Sequence, residues 1–120
     1  MTERGLVEST QWALVLPALL ALVLGLVQTG VWLHGRSVAT QAAAAAADLR
    51  AQVGGRTAQA EEVARSLAER GGLQQVEVRT SVRAGVVTVT VAGRAPVFFD
   101  IGQSQVVEHA VLPVERVTVP

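Results

Sequence analysis

The stretch STQWALVLPALLALVLGLVQTGVWL, at residues 9–33, decides how the rest of the chain is read. It contains no Asp, Glu, Lys or Arg. At a helical rise of about 1.5 Å per residue it is long enough for a hydrocarbon core of roughly 30 Å. We therefore predict a transmembrane helix over residues 9–33. The alternative is a buried helix of a soluble protein, but such helices seldom have more than ~14 consecutive apolar residues.

The residues before this stretch, 1–8, form a short polar tail with Arg4 between Glu3 and Glu8. The tail could also be the start of a cleaved secretory signal, with the alanine run at 42–47 as the cleavage site. The apolar stretch is long for that purpose, because the apolar region of a signal runs about 7–15 residues. Arginines counted near both ends of the span lean weakly towards a C-terminus inside the cell.

Small residues recur at every fourth position of the predicted span and so share one helical face. These residues are Ala13, Pro17, Ala21, Gly25 and Thr29. Such a face lets a second helix approach closely, although Ala and Gly are also simply common in membrane helices.

Pro17 removes a backbone donor, which predicts a kink or local unwinding. Gln28 lies beside the face and could hydrogen-bond across it. Trp12 and Trp32 bracket the span, as is typical of residues at the two membrane interfaces.

The helical pattern continues beyond the predicted span as an alanine-rich extension over residues 34–55. Residues 42–47 are all Ala, the strongest helix former, and only Gly35 weakens the pattern. The pair Gly54-Gly55 predicts the end of the helix, near Val53. The thin alanine surface suits close packing against other helices, and a plain spacer of high helix propensity is the alternative.

A second helix is predicted from Thr57, as its N-cap, to the pair Gly71-Gly72. Its apolar residues follow the i, i+3, i+4, i+7 pattern, which predicts that they face a sheet. These residues are Ala60, Val63, Ala64 and Leu67.

The rest of the chain has the alternating pattern of strands. Residues 73–82 and 86–91 alternate on either side of a turn at 83–85, which predicts a hairpin. Residues 93–96 are predicted to form a loop, and residues 106–112 a third strand. Pro113 interrupts this strand, and residues 114–119 could continue it as an edge segment. The two Phe residues, Phe98 and Phe99, are predicted to plug the core beside the sheet. Together these elements predict an α+β fold, in which the second helix packs on a small antiparallel sheet in a domain over 56–120.

Residues able to carry chemistry are few. The formal net charge is zero, which gives no electrostatic case for nucleic acid, and the absence of Cys excludes disulfides and thiolate metal sites. His34 suits a membrane interface. His109 could pair with Glu108 or Asp100, but a half-exposed strand histidine is the simpler interpretation. We expect no catalytic residues, no cofactor and no metal site.

The N-terminal motif resembles that of the TadE-like family, which comprises pilin-like proteins (pseudopilins or minor pilins) of tight-adherence, type IV-like pilus systems. The resemblance rests on Arg4-Gly5, a carboxylate at Glu8, the hydrophobic run WALVLPALL at 12–20, and Gly25. The alanine-rich helix, the Val/Thr strand ending at Val91 and the closing residues AVLPVE at 110–115 resemble the family as well.

The resemblance implies that a prepilin peptidase cuts after Gly5, so that Leu6 becomes the first residue. The family's acidic residue usually lies five positions after the cut, where this chain has Thr10. Either Glu8 or Gln11 could act in its place, as the carboxylate or amide that meets the amine of a neighbouring subunit. The resemblance also implies a tail in the cytoplasm and a C-terminal domain outside the inner membrane, and we prefer this orientation to the one from the arginine count.

The leading hypothesis is a non-catalytic, single-pass minor pilin or pseudopilin. It would assist pilus assembly by packing its helix on those of other pilin-like subunits and the assembly machinery within membrane lipid. Its globular end would contact subunits through a sheet edge or the region of Phe98 and Phe99. One alternative is a membrane-anchored envelope protein that binds a ligand or partner unrelated to pili. The other is a secreted domain released at the alanine run.

Overall fold

The computed structural model describes residues 3–97 and 104–114, with side chains from residue 7 onward. Within these residues the fold has two helices followed by a three-stranded sheet, which confirms the predicted α+β class. The elements are α1 (Glu3–Ala51), α2 (Thr57–Arg70), β1 (Gln74–Arg83), β2 (Val86–Arg94) and β3 (Gln105–Pro113). The chain divides into two compact units, Met1–Gly30 and Val31–Pro120.

Helix α1 includes both helical segments that the sequence predicts, and it begins earlier, at Glu3. It is uninterrupted at Pro17, so the local unwinding predicted there does not break the helix. It ends at Ala51, close to the predicted Val53. Gly54 follows with φ of 79°, a left-handed conformation that suits glycine and turns the chain out of the helix.

The sheet is an antiparallel meander with β2 between β1 and β3. Ala84 and Gly85 connect β1 to β2 with φ of 51° and 76°. Two successive positive φ values are what a type I′ turn requires, and this turn has the twist that a tight hairpin needs. The hairpin predicted from the sequence is therefore confirmed, with Arg83 opposite Val86 at its closed end.

The central strand β2 supplies three of the four largest fully buried side chains among the described residues, and Val106 of β3 is the fourth. Val87, Val89 and Val91 are buried on one face, while Thr88 and Thr90 alternate with them on the other, as the pattern predicts. The predicted loop at 93–96 is wrong for its first two residues, because β2 continues to Arg94 and Gly93 pairs with Val106. A Cβ at residue 93 would lie 3.3 Å from that of Leu73, so this glycine makes room for a core side chain rather than for a turn.

The alanine-rich part of α1 lies in the core of the second unit. Its buried residues are Ala39, Ala42, Ala43, Ala46, Ala47 and Ala51. They form one hydrophobic cluster with residues of α2 and the inner face of the sheet. Gly35, the residue predicted to weaken the helix, lies so close to the sheet that a Cβ there would come within 3.4 Å of Leu73, Ala95 and Val106. The extension is therefore not a plain spacer, and its alanine surface packs closely within the chain, against α2 and the sheet.

Helix α2 differs from the prediction at its start and on its buried face. Arg56 is the N-cap and makes no side-chain capping bond, whereas Thr57 is already helical and its hydroxyl accepts a hydrogen bond from Arg50 Nε at 2.9 Å. Leu67 and Val63 are only partly covered, and the buried residues are Ala60, Ala64 and Ala68. A row of alanines is thin enough to join the alanine cluster of α1, which explains why the smaller side chains face inward.

The third strand, predicted over 106–112, is confirmed as β3 and ends at Pro113. The predicted core plug at Phe98 and Phe99 lies outside the described residues, as does the predicted edge segment at 114–119 apart from Val114.

Candidate helix-packing face and membrane segment

Residues 7–30 of α1 turn their apolar side chains outward. Leu14, Leu22 and Leu26 are 60–70% exposed, and Gln28 is the one buried side chain among the described residues of this segment. In the described part of the chain, α1 is the one helix long and apolar enough to cross a membrane. Of its most apolar 18-residue stretch, 6% is buried. The core helix of a soluble protein would bury such a surface, so this helix fits a single-pass membrane protein.

The predicted packing face is fully available on this segment. Ala13, Pro17, Ala21, Gly25 and Thr29 are all exposed. Nothing lies within 4 Å of a Cβ built on Gly25, so the surface there is open. The hydroxyl of Thr29 donates to the carbonyl of Gly25 at 2.9 Å, which satisfies it within its own helix. The face therefore offers a shallow surface for close packing rather than a hydroxyl donor for a partner.

One backbone acceptor lies on the same face. Because Pro17 has no N–H, the carbonyl of Ala13 lacks the usual donor four residues further along. Lipid cannot satisfy such a carbonyl, whereas a side chain of a neighbouring helix can. This gives the face one polar feature, at Ala13.

The spacing of the face determines how a partner helix can cross it. A step of four residues turns the helix by about 40° beyond a full turn, so the row winds around the axis. Two rows of this kind interdigitate at about −50° in soluble proteins, and small-residue rows of membrane helices cross at about −40°. A straight partner would therefore meet the middle of the row, around Ala21 and Gly25, rather than its whole length.

Gln28, which the sequence predicts could bond across the face, is 6% exposed and already has a partner within the chain. Its side chain therefore has less hydrogen-bonding capacity left for a second helix. The close approach of small side chains is what the described part of the face contributes to association.

The candidate processing site lies at the start of α1. Gly5 is part of the helical backbone, whereas nothing is described of the side chain of Leu6. Glu8 and Gln11 are exposed, and their spacing of three residues makes them neighbours on one side of the helix. The two candidates for the polar partner residue could thus meet the same group on another subunit.

The histidines are not brought together with other candidate residues. His34 is exposed on α1, and His109 is exposed on the outer face of β3. Glu108 points to the opposite face, where its carboxylate pairs with Arg36, so the conceivable pair of Glu108 with His109 does not form. Asp100 lies outside the described residues. Residues 3–97 and 104–114 contain no cluster of three potential metal ligands.

Together the elements define a class: a small α+β domain attached to one N-terminal helix that could span a membrane. Residues 9–48 match the family model described as TadE-like protein, which confirms the predicted TadE-like resemblance over this segment. A search of curated proteins and a search of solved structures returned no match. The TadE-like segment and the long apolar helix fit a membrane protein associated with the Tad pilus.

The bounds of the match are informative. It begins at Ser9 and ends at Asp48, so it contains the whole packing face and most of the buried alanines of α1. Gln11 lies inside it, whereas Gly5 and Glu8 lie before it. The strand motifs that resemble the family lie outside the matched residues. The match to the family model therefore covers a shorter part of the chain than the sequence motifs do.

Proposed function

We propose that the chain is a non-enzymatic minor pilin or pseudopilin of the inner membrane, which assists assembly of a tight-adherence pilus through helix packing. One observation carries the proposal. The TadE-like segment at 9–48 contains a row of small residues that stands exposed on an otherwise apolar helix. A helix that only anchored the domain would have no need of a shallow face on one side.

Residues 7–30 are the part of α1 that would meet other subunits. The alanines further along, such as Ala43 and Ala47, are fully buried within the chain and offer nothing to a neighbour. Contacts between pilin-like subunits would therefore centre on Ala21 and Gly25, where no side chain keeps a second helix at a distance.

By family resemblance, a prepilin peptidase would cut after Gly5 and leave Leu6 at the new N-terminus. The amine created there is a positive charge within an apolar helix, which is costly in lipid unless it is paired. Glu8 or Gln11 of a neighbouring subunit would supply the partner. A carboxylate at Glu8 would form the stronger, charge-assisted bond.

The proposed orientation places the short tail in the cytoplasm and the α+β domain outside. Arg4 and the terminal amine then lie on the inner side, which agrees with the preference for positive charge there. The arginines that follow the span, including Arg36 and Arg50, belong to α1 within the second compact unit. Long loops and domains are translocated largely regardless of such charges.

Release of the domain at the alanine run is the less favourable alternative. A cut near Ala43 would sever α1 within the core and detach Gly35, Ala39 and Ala42 from the sheet they pack with. An envelope anchor unrelated to pili would keep α1 intact and stays the principal alternative.

Mass spectrometry of the mature N-terminus tests the proposal against both alternatives. The proposal predicts a chain that begins at Leu6 when it is expressed with its prepilin peptidase. Gly5→Ala should block this processing and provides the control. A chain that begins at Met1 or Thr2 in the presence of active peptidase would favour the envelope anchor. A chain that begins after about Ala43 would mean release of the domain.

A further inference from the structure

A small cleft lies at one end of the sheet, beside the point where the apolar stretch of α1 ends. It has a volume of about 380 Å³ and is lined by Trp32, Arg36, Gln105, Val106, Val107 and Glu108. The Arg36 guanidinium lies 5.1 Å from the centre of the Trp32 ring, and its Nε donates to Glu108 Oε1 at 2.8 Å. These contacts tie the first residues of β3 to α1.

The cleft lies at the end of the uncharged stretch of α1. Leu33 is the last residue of the uncharged stretch at 9–33, so Trp32 lies at its end and Arg36 one turn beyond. If α1 spans a bilayer, as the proposed function requires, this level of the helix meets the phospholipid headgroups. The residues of β3 that share the cleft are then at the same level, because Arg36 contacts Glu108 directly.

The chemistry of the cleft suits a headgroup phosphate. Arg36 binds Glu108 through its Nε and stacks on Trp32. Its side chain is still 48% exposed, so the guanidinium is accessible to a further ligand. A guanidinium binds phosphate well, and an indole is favoured at the boundary between headgroups and hydrocarbon. Val107 also lines the cleft, and its apolar side chain is 50% exposed on the outer face of β3.

We propose that this cleft, formed by Trp32, Arg36 and the start of β3, docks on the membrane surface and holds a phospholipid headgroup through the phosphate. The domain would then be held against the bilayer by β3 as well as by α1. The proposal rests on the membrane anchoring of the proposed function, and it adds a second surface that contacts lipid.

Two valines of β3 provide a matched pair of probes. Val107 and Val111 lie on the same face of the same strand and are 50% and 56% exposed. Val111 is about 13 Å further along the strand from the cleft. Because the chain contains no Cys, Val107→Cys and Val111→Cys can each be labelled with a fluorophore at one position. The full chain is placed in phosphatidylethanolamine and phosphatidylglycerol vesicles that carry a quencher on the headgroup.

The proposal predicts that the label at Val107 loses most of its fluorescence in these vesicles, while the label at Val111 keeps most of its own. Equal quenching at the two positions would overturn it. Free inorganic phosphate should not restore the fluorescence, since the anchored domain meets headgroup phosphates at a far higher local concentration. Restoration by phosphate would mean that the cleft prefers the free ion to the headgroup, which would overturn lipid as its ligand.

Two substitutions separate lipid binding from a structural role of the ion pair. Arg36→Gln and Glu108→Gln both remove the contact between α1 and β3, but only the first removes the group that binds phosphate. We expect Arg36→Gln to abolish the difference between the two labels and Glu108→Gln to retain it. If both variants lose the difference in quenching between the two labels, the ion pair has only a structural role. If neither loses it, Arg36 does not bind the phosphate. Each outcome contradicts the proposal.

The fluorescence of Trp12 shows whether α1 is inserted in the bilayer at all. In a Trp32→Phe chain, Trp12 is the only tryptophan, and lipids brominated in their acyl chains should quench it. If Trp12 is quenched and Val107 is not, the cleft does not dock and the anchor stands. If Trp12 is not quenched, α1 is not in the bilayer, and both the proposed function and the docking fail.

Discussion

Helix α1 carries two rows of small residues with opposite environments. The first row, which we call the open row, is exposed throughout and consists of Ala13, Pro17, Ala21, Gly25 and Thr29. The second row, which we call the closed row, has the same spacing, is buried throughout and consists of Ala39, Ala43, Ala47 and Ala51. The difference lies in what the chain places against each row, since α2 and the sheet share a core with the second and the first has no such cover among the described residues.

The comparison shows that small residues at every fourth position prepare a helix for close packing without specifying the partner. For the second row the partner is internal, and it includes another four-spaced alanine row on α2, at Ala60, Ala64 and Ala68. The first row belongs to the part of α1 that could span a membrane, where its partner would be lipid or another helix. Because an exposed row and a buried row of the same spacing lie on one helix, we propose that the exposed row serves association between subunits.

The largest effect is expected from filling the closed row. Ala43→Leu would force three more carbon atoms into a fully buried position, and such overpacking should lower the free energy of unfolding by about 3 kcal/mol. Denaturant unfolding in detergent micelles measures this. Trp32 packs against the core cluster, so its fluorescence in a Trp12→Phe background reports on the domain.

The control for that experiment is Ala21→Leu, the same substitution in the open row. Its side chain would project from an exposed position, so the free energy of unfolding of the domain should be unchanged. Equal destabilisation by the two substitutions would contradict the distinction between the rows.

A smaller effect, about 2 kcal/mol, is expected from Gly71→Ala. Gly71 follows α2 with φ of −78°, which any residue can adopt, so the backbone itself tolerates alanine. The added Cβ would instead collide with the side chain of Val38 on α1. The same unfolding experiment measures the loss, and Val38→Ala should restore part of it because the collision is removed.

Gly30→Ala is the matched control, because nothing lies within 4 Å of a Cβ at that position. It should not lower the free energy of unfolding of the domain. If Gly71→Ala were as harmless as Gly30→Ala, the close contact between α1 and the end of α2 would be wrong.

Much of the fold could be predicted because local patterns specify it. The alternation of Val87, Val89 and Val91 with threonines gave the central strand, and Ala84-Gly85 gave the turn. Errors arose where a residue serves tertiary packing. Gly93 reads as a loop residue but lies in a strand beside Leu73. Thr57 reads as an N-cap, but its hydroxyl is occupied by Arg50, which precedes the helix.

The candidate sites divide in the same way. The small face at 9–33 could be read from spacing alone, because it depends on one helix. The pair of Arg36 and Glu108 could not, since the two residues are 72 positions apart and neither has a local signal. The buried role of the alanine run was also hidden, because high helix propensity is equally consistent with a spacer, an open surface and a core helix.

The central claim, that the open row mediates association between subunits, is tested most directly by a membrane two-hybrid assay of Gly25→Leu against Gly30→Leu. Both glycines lie in the apolar part of α1 and have free space around them, but only Gly25 belongs to the row. We predict that Gly25→Leu weakens self-association, more so with Ala21→Leu, while Gly30→Leu associates like the unmodified chain. Unchanged association of the Gly25→Leu chain, or equal weakening by both substitutions, would contradict the claim.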